Sequence, residues 1–276
     1  MLAQVPKAGP EVLDGFDLAL VSLCLLVNVV LSFLIQLGLT RSLLIAGTRT
    51  VVQLLAIGYV LQQIFAASHP GFVLALLLLM GLLAGHAITR QTKHRFRGQM
   101  SIATGSLLLS AFLMTSYAVF VVVQPQDPFD PSYLIPIMGM VFGNGLTAIS
   151  LAIDRFVIGL IEQRREIETM LGFGASRSEA VRPHVREAVR TGMMPMLNSM
   201  TVVGLVSLPG MMTGQILGGT PPEQAVRYQI VMMFLLAGST ALGAGIAVLW
   251  LRRRLFDEQD RLRLALFHKS KNNSRS

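Results

Sequence analysis

Long apolar runs without charged residues alternate with short polar stretches along most of this chain. Each run is long enough to cross the hydrocarbon core of a bilayer as a helix, which takes about 20 residues. We therefore predict an all-α, polytopic membrane protein with about seven transmembrane helices. The seven runs lie near residues 17–38, 43–66, 71–89, 100–123, 133–154, 193–217 and 228–251.

The seven runs are expected to form a single transmembrane domain over residues 1–256. The remaining residues, 257–276, are interpreted as a cytoplasmic tail, because the arginines Arg252, Arg253 and Arg254 would anchor the last helix at the cytoplasmic surface. The end of this tail is too polar to pack against an apolar core, so we expect it to be disordered.

The most polar stretch inside the apolar part of the chain is residues 162–195. It lies between two uncharged runs, 131–153 and 191–222, each long enough to cross a bilayer. It is therefore expected to be a loop of a membrane protein. Its first part, residues 162–170, carries charges all round and predicts a helix with ion pairs on its own surface.

The middle of this polar stretch predicts a tight turn followed by a second helix. Gly172 and Gly174 tolerate the backbone conformations that a helix end requires. Ser176 and Glu179 match a capping box, in which each side chain satisfies a free N–H group of the other. Pro183 is expected to end this helical piece in under two turns and to open the next helix. A docking element and an ordinary solvated loop are both compatible with this pattern.

The distribution of charge orients the helices. If the polar stretch is cytoplasmic, only Lys7 and Arg227 of the 23 Lys and Arg residues lie outside, as expected for a protein with positive cytoplasmic loops. The N-terminus is then outside and the C-terminus inside. Hydrophobic residues make up 53% of the chain and charged residues only 14%. Without a basic stripe interleaved with aromatic residues, the net positive charge indicates the lipid bilayer and no nucleic acid as partner.

No catalytic motif accompanies the spans. The chain has no GxxxxGK[ST] phosphate loop, no HExxH and no GxSxG motif. The single cysteine, Cys24, lies in an apolar run and cannot form a cysteine-based metal site. We expect no enzymatic activity, no cofactor and no metal site of high affinity. If transport is driven by ATP, the nucleotide must be bound by a partner subunit.

The sixth run carries polar groups that would suit a transport pathway. Pro209 and Gly210 are expected to break its helix at mid-membrane, where irregular backbone is tolerated only against protein or a wet cavity. Ser207, Met211 and Gln215 share one face of a helical wheel. Neutral oxygen and sulfur groups lower the desolvation cost of a passing cation and still release it. Helix packing through small residues and methionine is the alternative.

Further candidates lie on other spans. Asn144 lies between two glycines, which would let another helix approach its amide closely. Arg49 lies inside the second span with Gln53 one turn further on; its alternative role is to extend to the cytoplasmic headgroups. The expected pathway residues are Arg49, Gln53, Asn144, Ser207, Pro209, Met211, Met212 and Gln215.

Several of these motifs resemble one family of membrane proteins. The pattern of Glu168, Gly172, Ala175, Ser176, Ala180, Gly192 and Pro195 is similar to the coupling-helix segment of ABC-transporter membrane subunits. Ile135-Pro136, Gly139-Met140, Gly143-Asn144, the run 164–168 and above all SLPGMMTGQI at 207–216 resemble the FetB-type iron-export permeases. These are small bacterial ABC permeases with plant relatives associated with aluminium tolerance. The resemblance covers roughly residues 13–256.

This resemblance implies a permease subunit that exports a metal ion, most simply iron, across the bacterial cytoplasmic (inner) membrane. It also implies an ABC ATPase subunit that binds the ATP, and a homodimer in a complex of two permeases and two ATPases. The residues expected to couple to the ATPase are Glu166, Glu168, Gly172, Phe173, Gly174, Ala175, Ser176 and Glu179.

Three other functions remain compatible with the sequence. An ABC permease for another small solute, such as a sugar nucleotide, would share the coupling segment. A secondary transporter usually keeps Asp or Glu at mid-membrane, and spans five to seven contain none there. An integral membrane enzyme would need polar residues clustered at one membrane interface, which this pattern supports only weakly.

Overall fold

The computed structural model describes residues 14–67, 70–92, 94–96, 98–256 and 267–269. The disorder expected over residues 269–276 falls outside the described residues except at Lys269, which lies in a short strand. The helices are α1 (Gly15–Leu34), α2 (Thr40–Ala67), α3 (Pro70–Gln91), α4 (Gln99–Tyr117), α5 (Pro131–Glu162), α6 (Arg164–Gly172), α7 (Arg177–Val202), α8 (Gly210–Leu217) and α9 (Pro222–Leu255).

Two short features complete this architecture. A π-helical turn, Ala118–Val123, extends α4. Two three-residue strands, β1 (His94–Phe96) and β2 (Phe267–Lys269), pair antiparallel and join the loop after α3 to the tail. Within the described residues six helical segments are long and apolar enough to cross a membrane: α1, α2, α3, α4 with its π-helical turn, α5 and α9. The prediction of an all-α, polytopic membrane protein is confirmed.

The centre of the bundle is the contact between α5, α7 and α9. α7 runs antiparallel to α5, because Glu187 on α7 is paired with Arg155 on α5, and Gly192 further along α7 faces Ala148. A Cβ atom on Gly192 would lie 2.6 Å from the carbonyl oxygen of Ala148 and 3.3 Å from the Cβ of Ala244 on α9. A glycine at this position therefore lets three helices meet at close range, as small residues do in membrane bundles.

α3 and α4 pack beside this centre, whereas α1 and α2 lie at its edge. Ser32 is the single buried residue of α1 among those described. Ile64, near the end of α2, joins the apolar core. The first two helices therefore contact each other, and only α2 reaches the bundle to an appreciable extent.

The sixth expected span, 193–217, is not a continuous helix. It consists of the second half of α7, a non-helical segment at 203–209, and α8. We expected the break at Pro209 and Gly210, but the helix already ends at Val202. Gly204 adopts the left-handed φ of +84° there, a conformation that terminates helices and favours glycine. Pro209 instead caps the start of α8.

The expectation for Pro183 is wrong. α7 continues through Pro183 and Pro195 for 26 residues, from Arg177 to Val202. A proline inside a helix removes one hydrogen bond and crowds the preceding turn. Here Ala180, Val181 and Ala188 on α7 are fully or almost fully buried, so packing against α5 and α9 keeps the helix intact around Pro183.

Candidate functional site

The first candidate site is the turn between α6 and α7, residues 172–176, which we call the α6–α7 turn. α6 is held to the bundle by Ile167, which is only 1% exposed, and it lies otherwise on the surface. Arg164 Nε and Glu168 Oε1 form an ion pair of 2.6 Å along its exposed side. The expected helix before the turn is confirmed, with a start two residues later than the sequence indicated.

The capping box at the start of α7 is confirmed. The backbone N–H of Glu179 donates to Ser176 Oγ at 3.3 Å, and the N–H of Ser176 donates to Glu179 Oε2 at 2.9 Å. The Ser176 hydroxyl also donates to the same carboxylate oxygen at 2.7 Å. The hydroxyl and then the backbone N–H of Ser176, which both donate to the carboxylate, lower the pKa of Glu179 below its ordinary value because they stabilise the ionised form. The box fixes the direction in which α7 leaves the turn.

The α6–α7 turn presents one large apolar side chain to its surroundings. Phe173 is 89% exposed, although it lies between Leu171, which packs against the core, and Gly174. Gly174 has a φ of +91°, which a residue with a side chain adopts only with strain. Of the other expected coupling residues, Gly172, Ala175 and Ser176 lie in this turn, whereas Glu166 and Glu168 lie on α6 and Glu179 lies on α7.

Charged groups lie where α5, α6 and α7 meet, a region that we call the base of the α6–α7 turn. Arg155 Nε and Glu187 Oε1 approach to 3.6 Å. His184 precedes Glu187 by about one helical turn of α7 and lies against Gly159 on α5. A Cβ atom added to Gly159 would be 2.9 Å from the Nδ1 atom of His184. Burial lowers the pKa of His184; the carboxylate of Glu166 opposes this shift and Arg155 adds to it. The neutral form of the imidazole is therefore favoured where α5, α6 and α7 meet.

The second candidate site is the non-helical segment 203–209. Glu187 lies beside Arg155 on α5 and Gly192 beside Ala148, so at 1.5 Å per residue Val202 lies about 15 Å beyond Gly192 and short of the N-terminal end of α5, which is a candidate membrane span. The segment therefore lies within the membrane. Leu205 and Val206 are 90% and 83% exposed.

The backbone of this segment is only partly hydrogen-bonded. The carbonyl oxygen of Val202 accepts from the N–H groups of Leu205, Val206 and Ser207, and Gly204 N–H donates to Ser207 O at 2.9 Å. In the described part of the chain, the carbonyl oxygens of residues 203–206 have no backbone donor. Unpaired backbone groups are costly in lipid, so such a segment needs protein or water beside it.

α8 places two of the expected pathway residues on one face. Met211 and Gln215 are one helical turn apart; Met211 packs against the apolar core, and both are half-buried. The Oε1 atom of Gln215 is buried and has no hydrogen-bond partner among the described residues. Met212 is also half-buried. The predicted face shared with Ser207 is wrong, because Ser207 lies outside the helix and is exposed.

The remaining pathway candidates are not gathered with α8. Asn144 on α5 is exposed, and its Nδ2 donates to the carbonyl of Met140 at 3.0 Å in its own helix. Arg49 and Gln53 are exposed on α2, which contacts chiefly α1. α2 has no appreciable contact with α8 among the described residues, so Arg49 is separate from the α8 site and must face protein or water or extend to the interface.

Two residues near these sites were not predicted from the sequence. Gln229 on α9 is 8% exposed, and its Oε1 atom has no hydrogen-bond partner in the described part of the chain. An amide inside an otherwise apolar span is a signal that could have identified it. His184 could not have been identified in this way, because its neighbours come from α5 and α6. No group of three or more His, Cys, Asp or Glu side chains comes together among the described residues.

Comparison with known proteins adds an independent line of evidence. The model of the uncharacterised protein family UPF0014 matches residues 15–256. A UPF0014 membrane protein of Synechocystis is 37% identical, over 82% of this chain and 87% of the relative. Protein ALUMINUM SENSITIVE 3 of Arabidopsis thaliana is 34% identical, over 79% of each chain. The probable iron export permease protein FetB of Escherichia coli is 29% identical, over 89% of this chain and 93% of the relative.

No solved structure matches the chain. The likeness is therefore one of sequence, and it extends over every helix from α1 to α9.

Proposed function

Because the chain belongs to the UPF0014 family of membrane proteins, we propose that it is the membrane subunit of an ABC exporter. In this proposal a separate ATPase subunit binds and hydrolyses ATP, and the chain itself has no catalytic activity and no cofactor. The α6–α7 turn transmits the motion of the ATPase to the bundle.

The exposure of Phe173 supports this proposal most directly. The Phe173 side chain is 89% exposed at a turn that is expected to be cytoplasmic. Covering it with a partner is favourable, because its apolar surface is then removed from water. The capping box of Ser176 and Glu179 holds the turn in one geometry, which reduces the entropy lost on docking. An apolar residue presented on a stiff turn suits insertion into a groove of a protein partner.

The transported solute in this proposal is a metal ion, with iron as the first candidate. Its support is the similarity to the probable iron export permease of Escherichia coli, together with the neutral ligands around segment 203–209. Unpaired carbonyl oxygens, the amide oxygen of Gln215 and the thioether of Met211 can replace water around a cation. Neutral groups bind weakly enough to release the ion on the other side.

The functional unit in this proposal is a homodimer with two ATPase subunits in the bacterial cytoplasmic membrane. Segment 203–209 supports dimerisation, because its exposed apolar side chains accompany backbone carbonyls that cannot face lipid. A second copy would cover this segment and complete a pathway at the axis between the two subunits. Asn144 on the neighbouring span could then contribute its amide oxygen.

The experiment is to purify the chain with its ATPase and to measure ATP hydrolysis in proteoliposomes, titrated with iron, other metal ions and sugar nucleotides. We expect Phe173→Asp to abolish copurification and solute-stimulated hydrolysis, because a carboxylate would have to be buried in an apolar groove. Glu168→Lys and Gly172→Val are expected to uncouple hydrolysis in the same way.

Leu37→Asp is the matched control, because Leu37 is also an exposed apolar residue in a cytoplasmic turn, at 54% exposure. It should leave coupling intact. If Phe173→Asp assembles and couples as well as Leu37→Asp, the α6–α7 turn does not dock the ATPase. Stimulation by a sugar nucleotide and not by metals would overturn the choice of a metal ion.

A further inference from the structure

A large apolar cavity lies in the outer half of the bundle, away from the two candidate sites. Its volume is about 480 Å³, and its walls come from α3, α4 with its π-helical turn, and α5. Pro128 and Phe129 of the loop before α5 form its outer rim. Well-packed protein interiors contain few voids larger than a water molecule, so this cavity is a departure from close packing that leaves room for a ligand.

The depth of the cavity matches one leaflet of a bilayer. α3 starts on the outer side at Pro70, so Leu78 on the cavity wall lies about 12 Å inside at 1.5 Å per residue. By the same measure Met138 lies about 10 Å from the start of α5. Half of a hydrocarbon core of roughly 30 Å is about 15 Å. The cavity therefore extends along the region that the acyl chains of the outer leaflet occupy.

The cavity wall offers hydrocarbon surface and opens towards the lipid. Leu78, Phe112 and Phe120 line it and are each more than half exposed on the outside of the bundle. The lining residues are apolar except for Thr115 and Ser116, and the Thr115 hydroxyl oxygen is buried without a hydrogen-bond partner among the described residues. Two hydroxyl groups are too few polar partners to hold the water that such a space would admit, whereas an acyl chain can enter from the membrane.

The rim of the cavity carries negative charge. Asp127 and Asp130 flank Pro128 and Phe129, and residues 124–132 contain no Lys or Arg. One oxygen of each carboxylate accepts a backbone N–H, from Phe129 at 2.9 Å and from Ser132 at 2.8 Å. The second oxygen of each remains available to a ligand. Two carboxylates at headgroup level attract an ammonium group and repel an anionic headgroup.

We propose that this cavity binds one acyl chain of an outer-leaflet phospholipid whose headgroup carries an ammonium group. The chain fills the apolar space between α3, α4 and α5, and the headgroup lies beside Asp127 and Asp130. The bound lipid would then be part of the packing that holds α3 and α4 against α5. This site is independent of the proposed coupling to an ATPase.

The test uses the purified full-length chain in micelles with equal amounts of phosphatidylethanolamine and phosphatidylglycerol, examined by native mass spectrometry. The wild-type chain should retain one phosphatidylethanolamine per protomer. Ser116→Phe fills the cavity from α4 and should lose the retained lipid. Leu113→Phe is the matched control, because Leu113 lies on the same helix, is 47% exposed and does not line the cavity; it should retain the lipid.

Retention by Ser116→Phe equal to that of the wild type would overturn the assignment. If Ser116→Phe does not fold, Met138→Phe fills the same cavity from α5 and is read in the same way. Thr115→Val, which removes the hydroxyl at nearly constant volume, should retain the lipid; a loss there would indicate a polar ligand and contradict the acyl chain.

The headgroup is tested separately with Asp127→Asn and Asp130→Asn, which keep the turns because an amide oxygen also accepts the backbone N–H. Each substitution should lower the preference for phosphatidylethanolamine over phosphatidylglycerol by roughly 1.5- to 5-fold, the effect of one exposed charge pair. A wild-type chain that retains both lipids equally would overturn the ammonium assignment.

Discussion

The close approach of α5, α7 and α9 at Gly192 gives a quantitative prediction for Gly192→Ala. The added Cβ would lie 2.6 Å from the carbonyl oxygen of Ala148, 3.1 Å from the Cβ of Ala152 and 3.3 Å from the Cβ of Ala244. A backbone oxygen cannot rotate away as a flexible side chain can, so α7 must move away from α5. Overpacking of this kind costs about 1–3 kcal/mol.

The same substitution also stabilises the helix itself, because alanine is about 1 kcal/mol better than glycine in a helix interior. The net effect expected for Gly192→Ala is a loss of up to roughly 2 kcal/mol in the free energy of unfolding. Gly245→Ala on α9 is the matched control. A Cβ there meets no atom within 4 Å, so this variant should be up to about 1 kcal/mol more stable than the wild type.

The assay is unfolding of the purified chain in mixed micelles with increasing dodecyl sulfate, followed by circular dichroism. The prediction concerns the sign: Gly192→Ala should unfold earlier than the wild type and Gly245→Ala later. If both alanine variants shift in the same stabilising direction, the three helices do not meet at Gly192 as closely as described.

Two further predictions concern the base and the cap of the α6–α7 turn. Burial lowers the pKa of His184 below its ordinary 6.5, so the unfolded chain takes up this proton first and stability is lost as the pH falls below 6.5 through the lowered folded value. The same unfolding assay should show this loss in the wild type and a smaller one in His184→Gln. Ser176→Ala should destabilise the start of α7 by about 1 kcal/mol. It should also raise the pKa of Glu179 towards its ordinary 4.5, as NMR of a labelled glutamate would detect; an unchanged pKa would contradict the capping box.

Features that depend on neighbouring residues in the chain were predictable from the sequence. The long apolar runs predicted the membrane helices because a helix satisfies its own backbone hydrogen bonds wherever it lies in lipid. The capping box of Ser176 and Glu179 and the turn at Gly174 were predictable for the same reason, since all the bonds involved join residues a few positions apart.

Features that depend on packing between helices were not predictable in this way. Pro183 looked like the end of a helix because the local cost of a proline was known, whereas the gain from burying Ala180 and Val181 was not. The position of the helix break is a related case. Pro209 and Gly204 both permit a break, and the sequence alone does not show that the helix ends before Gly204.

The functional sites divide along the same line. The sequence by itself determined that a polar turn with a capping box lies between two membrane-spanning runs, because the hydrogen bonds of this turn join residues a few positions apart. Only the tertiary structure decided that Phe173 is exposed, that His184 is half-buried where α5, α6 and α7 meet, that Gln229 lacks a hydrogen-bond partner among the described residues, and that α3, α4 and α5 line a cavity. Each of these depends on surfaces from helices far apart in the chain, and the distance between such surfaces is set by the packing of all the side chains between them.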